Sequence, residues 1–329
     1  MAWSAWQRVP GFDFTDIIYD KKQHLEMGGG VARITINRPQ VLNATTGHTF
    51  REMVTSINDA SNDSNLGALV LTGAGDNAFS AGGDVKWEST PEFRSQFDNP
   101  EAQAQMQVND SLRNCRIPSI AAVRGYAIGA GNHTAYCCDF TIAADNAVFG
   151  QNGPRVASPA HGWLVGYLTN IVGAKKAREI WYLCRRYTAQ QALEMGLVNK
   201  VVPIDQMDAE VDGWCEELLS MSPTCIELLK ASFDAQMDVL LAATGPMGQL
   251  LNERAPGFPV SEEKDEGPNA FYEKRQPRFW QKRARRAPLP ESPREAVRTV
   301  TPAAPATPAW QPSTSGWRSI TPGSEVWGQ

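Results

Sequence analysis

Two kinds of hydrophobic pattern divide the first 150 residues into short strands and amphipathic helices. Apolar residues alternate with polar ones, or run on without a break, in six segments that we predict to be strands: residues 16–22, 31–37, 67–72, 120–123, 140–144 and 147–149. Apolar positions recur three or four residues apart in residues 49–60 and 101–114, which indicates helices between those strands. This alternation predicts right-handed crossovers stacked into a layered α/β core.

The second half of the chain carries longer helical patterns and then changes composition. Helices are predicted over residues 175–187, 205–220 and 223–241. Residues 151–166 are rich in Gly, Pro and Ser and show neither pattern, and a loop of that length indicates function rather than connection. We therefore divide the chain into a loose N-terminal lead-in (1–15), a core (16–204), a helical C-terminal region (205–286) and a Pro, Thr and Ser-rich tail that we expect to be disordered (287–329).

Two glycine-rich turns each follow a predicted strand. The first, residues 78–84, reads AFSAGGD, and the second lies within residues 121–139, AAVRGYAIGAGNHTAYCCD, where an apolar run passes through glycines into a helix of small residues. Helix N-termini carry unpaired N–H groups and a partial positive charge. Each turn alone is also typical of an ordinary tight connection. Together they can supply two N–H donors to an oxygen that acquires negative charge during a reaction.

Composition and charge exclude several classes of function. Apolar residues make up 42% of the chain, enough for a core, and the net charge of −5 does not favour nucleic-acid binding. No apolar run approaches the ~18 residues of a membrane span, and the N-terminus lacks the pattern of a signal peptide. Six cysteines without CxxC pairs indicate reduced thiols, and four histidines show no metal-ligand spacing. We expect a cytoplasmic protein with no metal.

The two turns, with further motifs in the same order and spacing over residues 16–280, resemble the crotonase (enoyl-CoA hydratase/isomerase) superfamily. The other motifs are Asn37-Arg38-Pro39, Phe149-Gly150-Gln151 and a segment from Thr188-Ala189 to Met195-Gly196-Leu197. The resemblance implies an α/β fold, the crotonase (ClpP-like) spiral of ββα units with a helical C-terminal region. It also implies a homotrimer or homohexamer, a CoA thioester as substrate and no tightly bound cofactor.

The resemblance further assigns residues to the binding of the thioester. Gly83 and Ala130 would donate their N–H groups to the thioester carbonyl, and Ala130 stands where glycine is usual in the family. Backbone groups around Leu42, Ala44, Ala81 and Asp84 would bind CoA. Basic side chains would meet its phosphates, namely Arg38, Lys86 and, from a neighbouring subunit, Lys274.

The two glutamates of the family's hydratases are absent, since their positions hold His133 and Gly153. The segment 149–155 together with 174–185 is instead most similar to 2-ketocyclohexanecarboxyl-CoA hydrolase and 1,4-dihydroxy-2-naphthoyl-CoA synthase. Naphthoyl-CoA synthases with glycine at the second position hold a bicarbonate ion there as the base. Gln151, Gly153 and Trp181 match that pocket, in which glycine would leave space and the amide and indole N–H groups would donate. The alternative is that Trp181 is only a core aromatic residue of its helix and binds no ion.

The chain departs from both relatives where they carry an aspartate and a tyrosine. Ser158 is retained, but Ala160 stands at the aspartate position and Pro259 at the tyrosine position. His133 and His161 occur where the relatives lack histidine, and we hypothesise that one or both supply the missing proton transfer. The alternative is that His133 packs in its helix and His161 lies on a surface loop.

Three functions stay open on the sequence. Hydrolytic C–C cleavage of an alicyclic 2-oxo-ring acyl-CoA is favoured, as part of alicyclic or aromatic compound degradation. The second is another crotonase reaction, such as ring closure, isomerisation, hydration or decarboxylation. The third is a non-catalytic crotonase-fold scaffold, an interpretation kept open by the lost carboxylates and by the tryptophans of the tail.

Overall fold

The computed structural model describes residues 2–91, 93, 104–158, 160, 162–244, 255 and 257–283. The chain consists of two compact units, Met1–Ala287 and Pro288–Gln329. The second unit lies outside the described residues. The predicted tail at 287–329, including its tryptophans, therefore has no structural account.

Eleven strands run through the described residues. They are β1 (Gln7–Arg8), β2 (Ile17–Gln23), β3 (Gly30–Ile36), β4 (Leu66–Gly73), β5 (Ala78–Ser80), β6 (Ser119–Val123), β7 (Tyr126–Ile128), β8 (Phe140–Ala144), β9 (Val148–Gly150), β10 (Arg186–Thr188) and β11 (Lys200–Val202).

Eleven α-helices lie in the described residues. They are α1 (Gly47–Asn62), α2 (Val85–Glu88), α3 (Ala104–Arg113), α4 (Ala130–Cys137), α5 (Trp163–Val172), α6 (Ala174–Leu183), α7 (Ala189–Glu194), α8 (Met207–Leu219), α9 (Pro223–Thr244), α10 (Glu262–Tyr272) and α11 (Phe279–Lys282).

The strands form two sheets that the chain visits in turn. The larger sheet has the order β1-β2-β3-β4-β6-β8-β11 and is parallel from β3 onward, and the smaller sheet has the order β10-β9-β7-β5. Strands β4, β6 and β8 of the larger sheet are each followed directly by a strand of the smaller one, β5, β7 and β9. This repeated step from sheet to sheet produces the spiral that the sequence predicts.

Burial follows from the apolar runs that predict these strands. Every residue of β6 is buried, as is every residue of β4 except one, because both lie in the middle of the larger sheet with elements packed on both faces. The main hydrophobic cluster joins α1 to the sheet through Phe50, Met53 and Ile57. The core therefore holds the ends of β5 and β7 in fixed positions, and these ends carry the two glycine-rich turns.

Several predicted boundaries were wrong. The lead-in is not loose throughout, since Gln7–Arg8 pairs with β2. The helix predicted over 175–187 ends at Leu183, because Cys184 adopts a left-handed conformation with φ of 49°, and Arg186–Thr188 then forms a strand that pairs with β9. In the segment predicted to lack structure at 151–166, helix α5 already begins at Trp163.

The C-terminal region is helical as predicted, but its last part is broken. Helix α10 ends at Tyr272, and Lys274 has a φ of 52°, so the chain leaves the helix there before α11 begins at Phe279. The first three turns of α10 carry Lys264 and Glu266, which are buried although charged. Helix α10 therefore packs closely against the rest of the first unit. No helix of the described residues is long and apolar enough to cross a membrane.

Candidate active site

The pairing of β5 with β7 brings the two predicted turns side by side. These strands are parallel, with Ala78 opposite Tyr126, so the turns that follow them leave at the same end of the smaller sheet. Gly82 has a φ of 103°, and a Cβ built there would lie 2.7 Å from Ile128 O and 3.4 Å from Ala130 N. Glycine is needed at residue 82 because the chain both turns left-handed and touches the second turn.

Gly83 and Ala130 present their N–H groups to the same space. The neighbours of Gly83 bond to Thr45, since Thr45 N donates to Gly82 O and Asp84 N donates to Thr45 O, so the N–H of Gly83 points away from Thr45. Ala130 is the first residue of α4, where an N–H has no partner within the helix. Neither N–H donates to a partner among the described residues. Both N–H groups are therefore available to a ligand, and their role as oxyanion donors stays a prediction.

A cavity of about 620 Å³ opens in front of these donors. Most of the residues that the sequence assigns to the site line it. They are Leu42, Ala44, Ala81, Gly83, Asp84, Lys86, Ala130, His133, Gln151, Gly153, Ser158, Ala160 and Trp181. His161 lies outside the described residues, so its predicted role in proton transfer stays a prediction.

His133 and Gln151 form a buried hydrogen-bonded pair on one wall of the cavity. His133 Nε2 and Gln151 Oε1 are 3.1 Å apart, so the ring N–H donates to the amide oxygen. The Trp181 ring packs against the imidazole with a centroid distance of 5.2 Å. Burial lowers the pKa of His133 to about 4, although the hydrogen bond to Gln151 acts in the opposite direction. His133 is therefore neutral at pH 7 and a weak base.

Two buried donors beside this pair have no partner among the described residues. They are Gln151 Nε2 and Trp181 Nε1, and both side chains line the cavity. An unsatisfied buried donor is costly, which is the property expected of a group that binds a ligand. A small oxyanion such as bicarbonate could accept both hydrogen bonds, so the donors fit the group that the resemblance implies.

The space expected at Gly153 is not empty. A Cβ built on this residue would lie 2.5 Å from the carbonyl oxygen of Ser158, which the loop 153–158 folds back toward it. Ser158 N in turn donates to Gly153 O over 3.0 Å. Glycine at residue 153 therefore allows two backbone segments to approach, and the interpretation that it leaves a void is wrong.

The basic residues assigned to CoA phosphates differ in their surroundings. The Arg38 guanidinium already contacts Asp84 Oδ2 at 3.2 Å and Asp16 Oδ2 at 3.5 Å, and it donates to Ala44 O. It thereby holds the loop before α1 against the first turn. Lys86 is exposed and lines the cavity, whereas Lys274 is exposed and does not. Contacts of these three residues with phosphate stay predictions.

Glu88 is a carboxylate in the cavity that the sequence analysis missed. A Cβ built on Gly83 would overlap Glu88 Oε1 and lie 3.0 Å from its Cδ, so the carboxyl group packs directly on the first oxyanion turn. Burial raises the pKa of Glu88, as does the charge of Asp84, while Lys264 and a hydrogen bond from Ser158 act to lower it. The sequence signal was the Asp84 N-cap, since the following helical turn brings residue 88 back over residues 83 and 84.

Lys264 is the second charged group that the sequence analysis missed. It lies on α10, only 3% of its surface is exposed, and its ammonium group is 5.5 Å from the centre of the Phe93 ring. Its charge acts on Glu88 from a helix that is 176 residues further along the chain. No residue pattern near Glu88 could have predicted this neighbour.

Among the described residues, no cluster of His, Cys, Asp or Glu could hold a metal ion.

The arrangement can stabilise a negative oxygen and move a proton close to it. The two N–H donors supply the first function, and the carboxyl group of Glu88 stands beside them for the second. The opposite wall supplies neutral hydrogen-bonding groups.

Residues 26–282 match the family described as Enoyl-CoA hydratase/isomerase. Among solved structures, an enoyl-CoA hydratase/carnithine racemase from Magnetospirillum magneticum is 26% identical, covers 83% of this chain and 98% of its own, and has a TM-score of 0.63. A probable enoyl-CoA hydratase from Mycobacterium thermoresistibile is 32% identical over 70% of this chain and 92% of its own, with a TM-score of 0.59.

A third solved structure is a monofunctional enoyl-CoA isomerase from M. smegmatis. It is 29% identical, covers 68% of this chain and 95% of its own, and has a TM-score of 0.56. The family match spans well over half of the chain, and the spiral of two sheets agrees with these neighbours. The chain therefore belongs to the enoyl-CoA hydratase/isomerase family and has the fold of the crotonase superfamily of acyl-CoA enzymes.

Proposed function

We propose that this protein hydrolyses a carbon–carbon bond in the ring of a 2-oxo-alicyclic acyl-CoA. The observation that carries the proposal is the pair of unpartnered N–H groups of Gly83 and Ala130, which face one cavity and can hold a thioester enolate oxygen. The residues at the two hydratase positions, His133 and Gly153, supply no carboxylate. Addition of water by a pair of glutamates is therefore disfavoured, and cleavage that needs the enolate as leaving group is favoured.

The reaction adds one water in a balanced sequence. The water oxygen bonds to the ring ketone carbon and loses a proton to a base. The bond between that carbon and the thioester α-carbon then breaks, and its electron pair moves into the thioester to give an enolate whose oxygen accepts from Gly83 and Ala130. A proton is delivered to the α-carbon, and the ketone carbon ends as a carboxyl group. The product is an open-chain acyl-CoA with a terminal carboxylate.

The wall that carries His133, Gln151 and Trp181 would hold water and, as a further part of this proposal, bicarbonate. Gln151 Nε2 and Trp181 Nε1 would donate to the ion, and His133 would remain neutral beside it. When bound, bicarbonate would supply an oxygen that accepts a proton. His133 and His161 are the side chains that we propose to assist proton transfer to or from water on this wall.

CoA would enter along the first turn. Backbone groups of Leu42, Ala44, Ala81 and Asp84 line the mouth of the cavity, and Lys86 is exposed beside them for a phosphate. Lys274 follows the end of α10 and does not line this cavity, so we propose that the partner subunit's Lys274 meets the CoA in a homotrimer or homohexamer. The proposed location is the cytoplasm.

Isomerisation of an enoyl-CoA is the second candidate, because of a specific observation. Glu88 is a single carboxylate beside the oxyanion donors, and moving a double bond needs one group that takes a proton and returns it elsewhere. A solved structure similar to this chain is an enoyl-CoA isomerase. Both candidates use the same enolate.

Incubation of the purified protein with 2-oxocyclohexanecarboxyl-CoA, with and without bicarbonate, tests the proposal by mass spectrometry. We expect a product heavier by one water, the CoA ester of the seven-carbon dicarboxylic acid, with a rate that rises when bicarbonate is added. Binding without any gain of water would contradict ring hydrolysis, and conversion of a 3-enoyl-CoA to its 2-enoyl isomer would then favour the second candidate. Neither turnover nor acyl-CoA binding would favour the scaffold interpretation.

A further inference from the structure

We propose that Glu88 is the catalytic residue that exchanges a proton with the α-carbon of the bound acyl thioester. The proposal rests on the enolate step of the proposed function, but not on the ring or on hydrolysis. It assigns proton transfer at the α-carbon to Glu88 and leaves proton transfer to or from water with the histidines.

Distance to the oxyanion donors is the first argument. The Glu88 carboxyl group occupies the space that a Cβ of Gly83 would take, and the N–H of Gly83 is one of the two proposed donors. In a thioester, the α-carbon is only two bonds from the carbonyl oxygen. A substrate oxygen held at Gly83 and Ala130 therefore brings its α-carbon to the part of the cavity that Glu88 lines. General bases act over this range of direct contact.

The other ionisable groups that line the cavity are less suited to take this proton. Asp84 is the only other carboxylate among the described residues that line the cavity, and its oxygens accept from Lys86 N, Trp87 N and Arg38 Nη2. These bonds hold it as the N-cap of α2. His133 is neutral and weakly basic because of its burial. Glu88 is thus the carboxylate left to meet the substrate.

The charged surroundings of Glu88 suit a group that must carry a proton in one state and lose it in the other. Burial and the charge of Asp84 raise the pKa of Glu88 above the ordinary value of a glutamate, which strengthens it as a base. Lys264, from α10, and the Ser158 hydroxyl, from the loop after β9, act in the opposite direction and preserve an ionised fraction. Proton transfer is efficient when the pKa lies near the working pH.

The step is balanced without any further reactant. The Glu88 carboxylate accepts a proton from the α-carbon, which leaves an enolate on the two N–H donors and a neutral carboxylic acid. The same acid returns a proton to the α-carbon when the reaction reverses. In ring hydrolysis, an acid form of Glu88 would deliver the proton that quenches the enolate.

Exchange of the α-hydrogens of butyryl-CoA in D₂O measures this step alone, because butyryl-CoA has no ring and no double bond. We expect the wild-type protein to incorporate deuterium at the α-carbon. Glu88→Gln, which keeps the shape of the side chain, should lower the exchange rate about 100-fold or more while butyryl-CoA still binds. The control Glu194→Gln removes an exposed carboxylate from α7 and should leave the rate unchanged.

Lys264→Met tests the charge of Lys264 through the pH profile of the exchange rate, which a loss of packing alone would not shift. Removing the positive charge should raise the pKa of Glu88, so the rise of exchange rate with pH should shift to higher pH, and Lys264→Arg should restore the profile. An exchange rate for Glu88→Gln within a few-fold of wild type would overturn the proposal. Absence of exchange in a wild-type protein that binds butyryl-CoA would overturn it too. Exchange that depends on Glu88, without ring opening of 2-oxocyclohexanecarboxyl-CoA, would support the role of Glu88 and contradict only ring hydrolysis.

Discussion

The two walls of the cavity bury ionisable groups of opposite kinds. The first wall is residues 81–88, which carries the Gly83 N–H and Glu88. The second wall comprises α4, Gln151 and Trp181, and it carries the Ala130 N–H and His133. Burial raises the pKa of Glu88 and lowers the pKa of His133 to about 4. The directions differ, yet the cause is the same, because desolvation disfavours whichever form is charged.

A nearby opposite charge distinguishes the walls. On the first wall, Lys264 lies close enough to counteract the effect of burial on Glu88. On the second wall, His133 forms a hydrogen bond with the neutral amide of Gln151. The first wall can therefore carry charge through a reaction, while the second is built to offer neutral hydrogen bonds. Each wall still contributes one N–H to the oxyanion site.

The largest expected effect tests what the walls share. Ala130→Pro removes the N–H of the second wall at the first position of a helix, where proline is tolerated best. We expect kcat to fall about 10²–10³-fold, roughly 3 kcal/mol of transition-state stabilisation, in a steady-state assay of the acyl-CoA substrate. Ala130→Gly, which keeps the donor and removes only the methyl group, is the matched control. Equal losses in both variants would mean that the Ala130 N–H does not bind the oxyanion.

The pH dependence of stability tests the second wall. The folded-state pKa of His133, about 4, is below its ordinary value of 6.5, so the unfolded chain binds the proton first. The stabilising contribution is complete above pH 6.5 and is lost as pH falls to about 4, and it amounts to about 3 kcal/mol. In urea unfolding across this pH range, the free energy of unfolding of His133→Gln should fall by about 3 kcal/mol less than that of wild type. Parallel curves for the two proteins would show that His133 is not buried as described.

A smaller effect of opposite sign is expected from the first wall. The pKa of Glu88 is raised in the folded protein, so the unfolded chain releases its proton first as pH rises. Wild type should therefore lose stability relative to Glu88→Gln as pH increases from the ordinary pKa of a glutamate through the raised value. The change should be smaller than that for His133 because Lys264 offsets part of the burial. Urea unfolding between pH 4 and pH 8 measures it, and a wild-type protein that gains stability relative to Glu88→Gln with rising pH would contradict the assignment.

The sequence predicted the oxyanion turns well because both are local devices. Gly82 must turn left-handed, and the N–H of Ala130 is free because it begins a helix, and both properties follow from neighbouring residues. Strand β10 escaped prediction because its partner, β9, lies 35 residues or more earlier in the chain. A three-residue strand next to a helix gives no periodicity of its own, so the predicted helix over 175–187 ran into it.

The sequence by itself determined the family and predicted six of the eleven strands of the described residues, and the family resemblance assigned the two N–H donors to Gly83 and Ala130. Only the tertiary structure decided which ionisable groups stand beside them and in which charge state. Glu88 comes to the cavity by one turn of a short capped helix, Lys264 comes from α10, and His133 is neutral because the fold surrounds it. A pKa depends on burial and on charges distant in the chain, and neither is written in the residues next to the group.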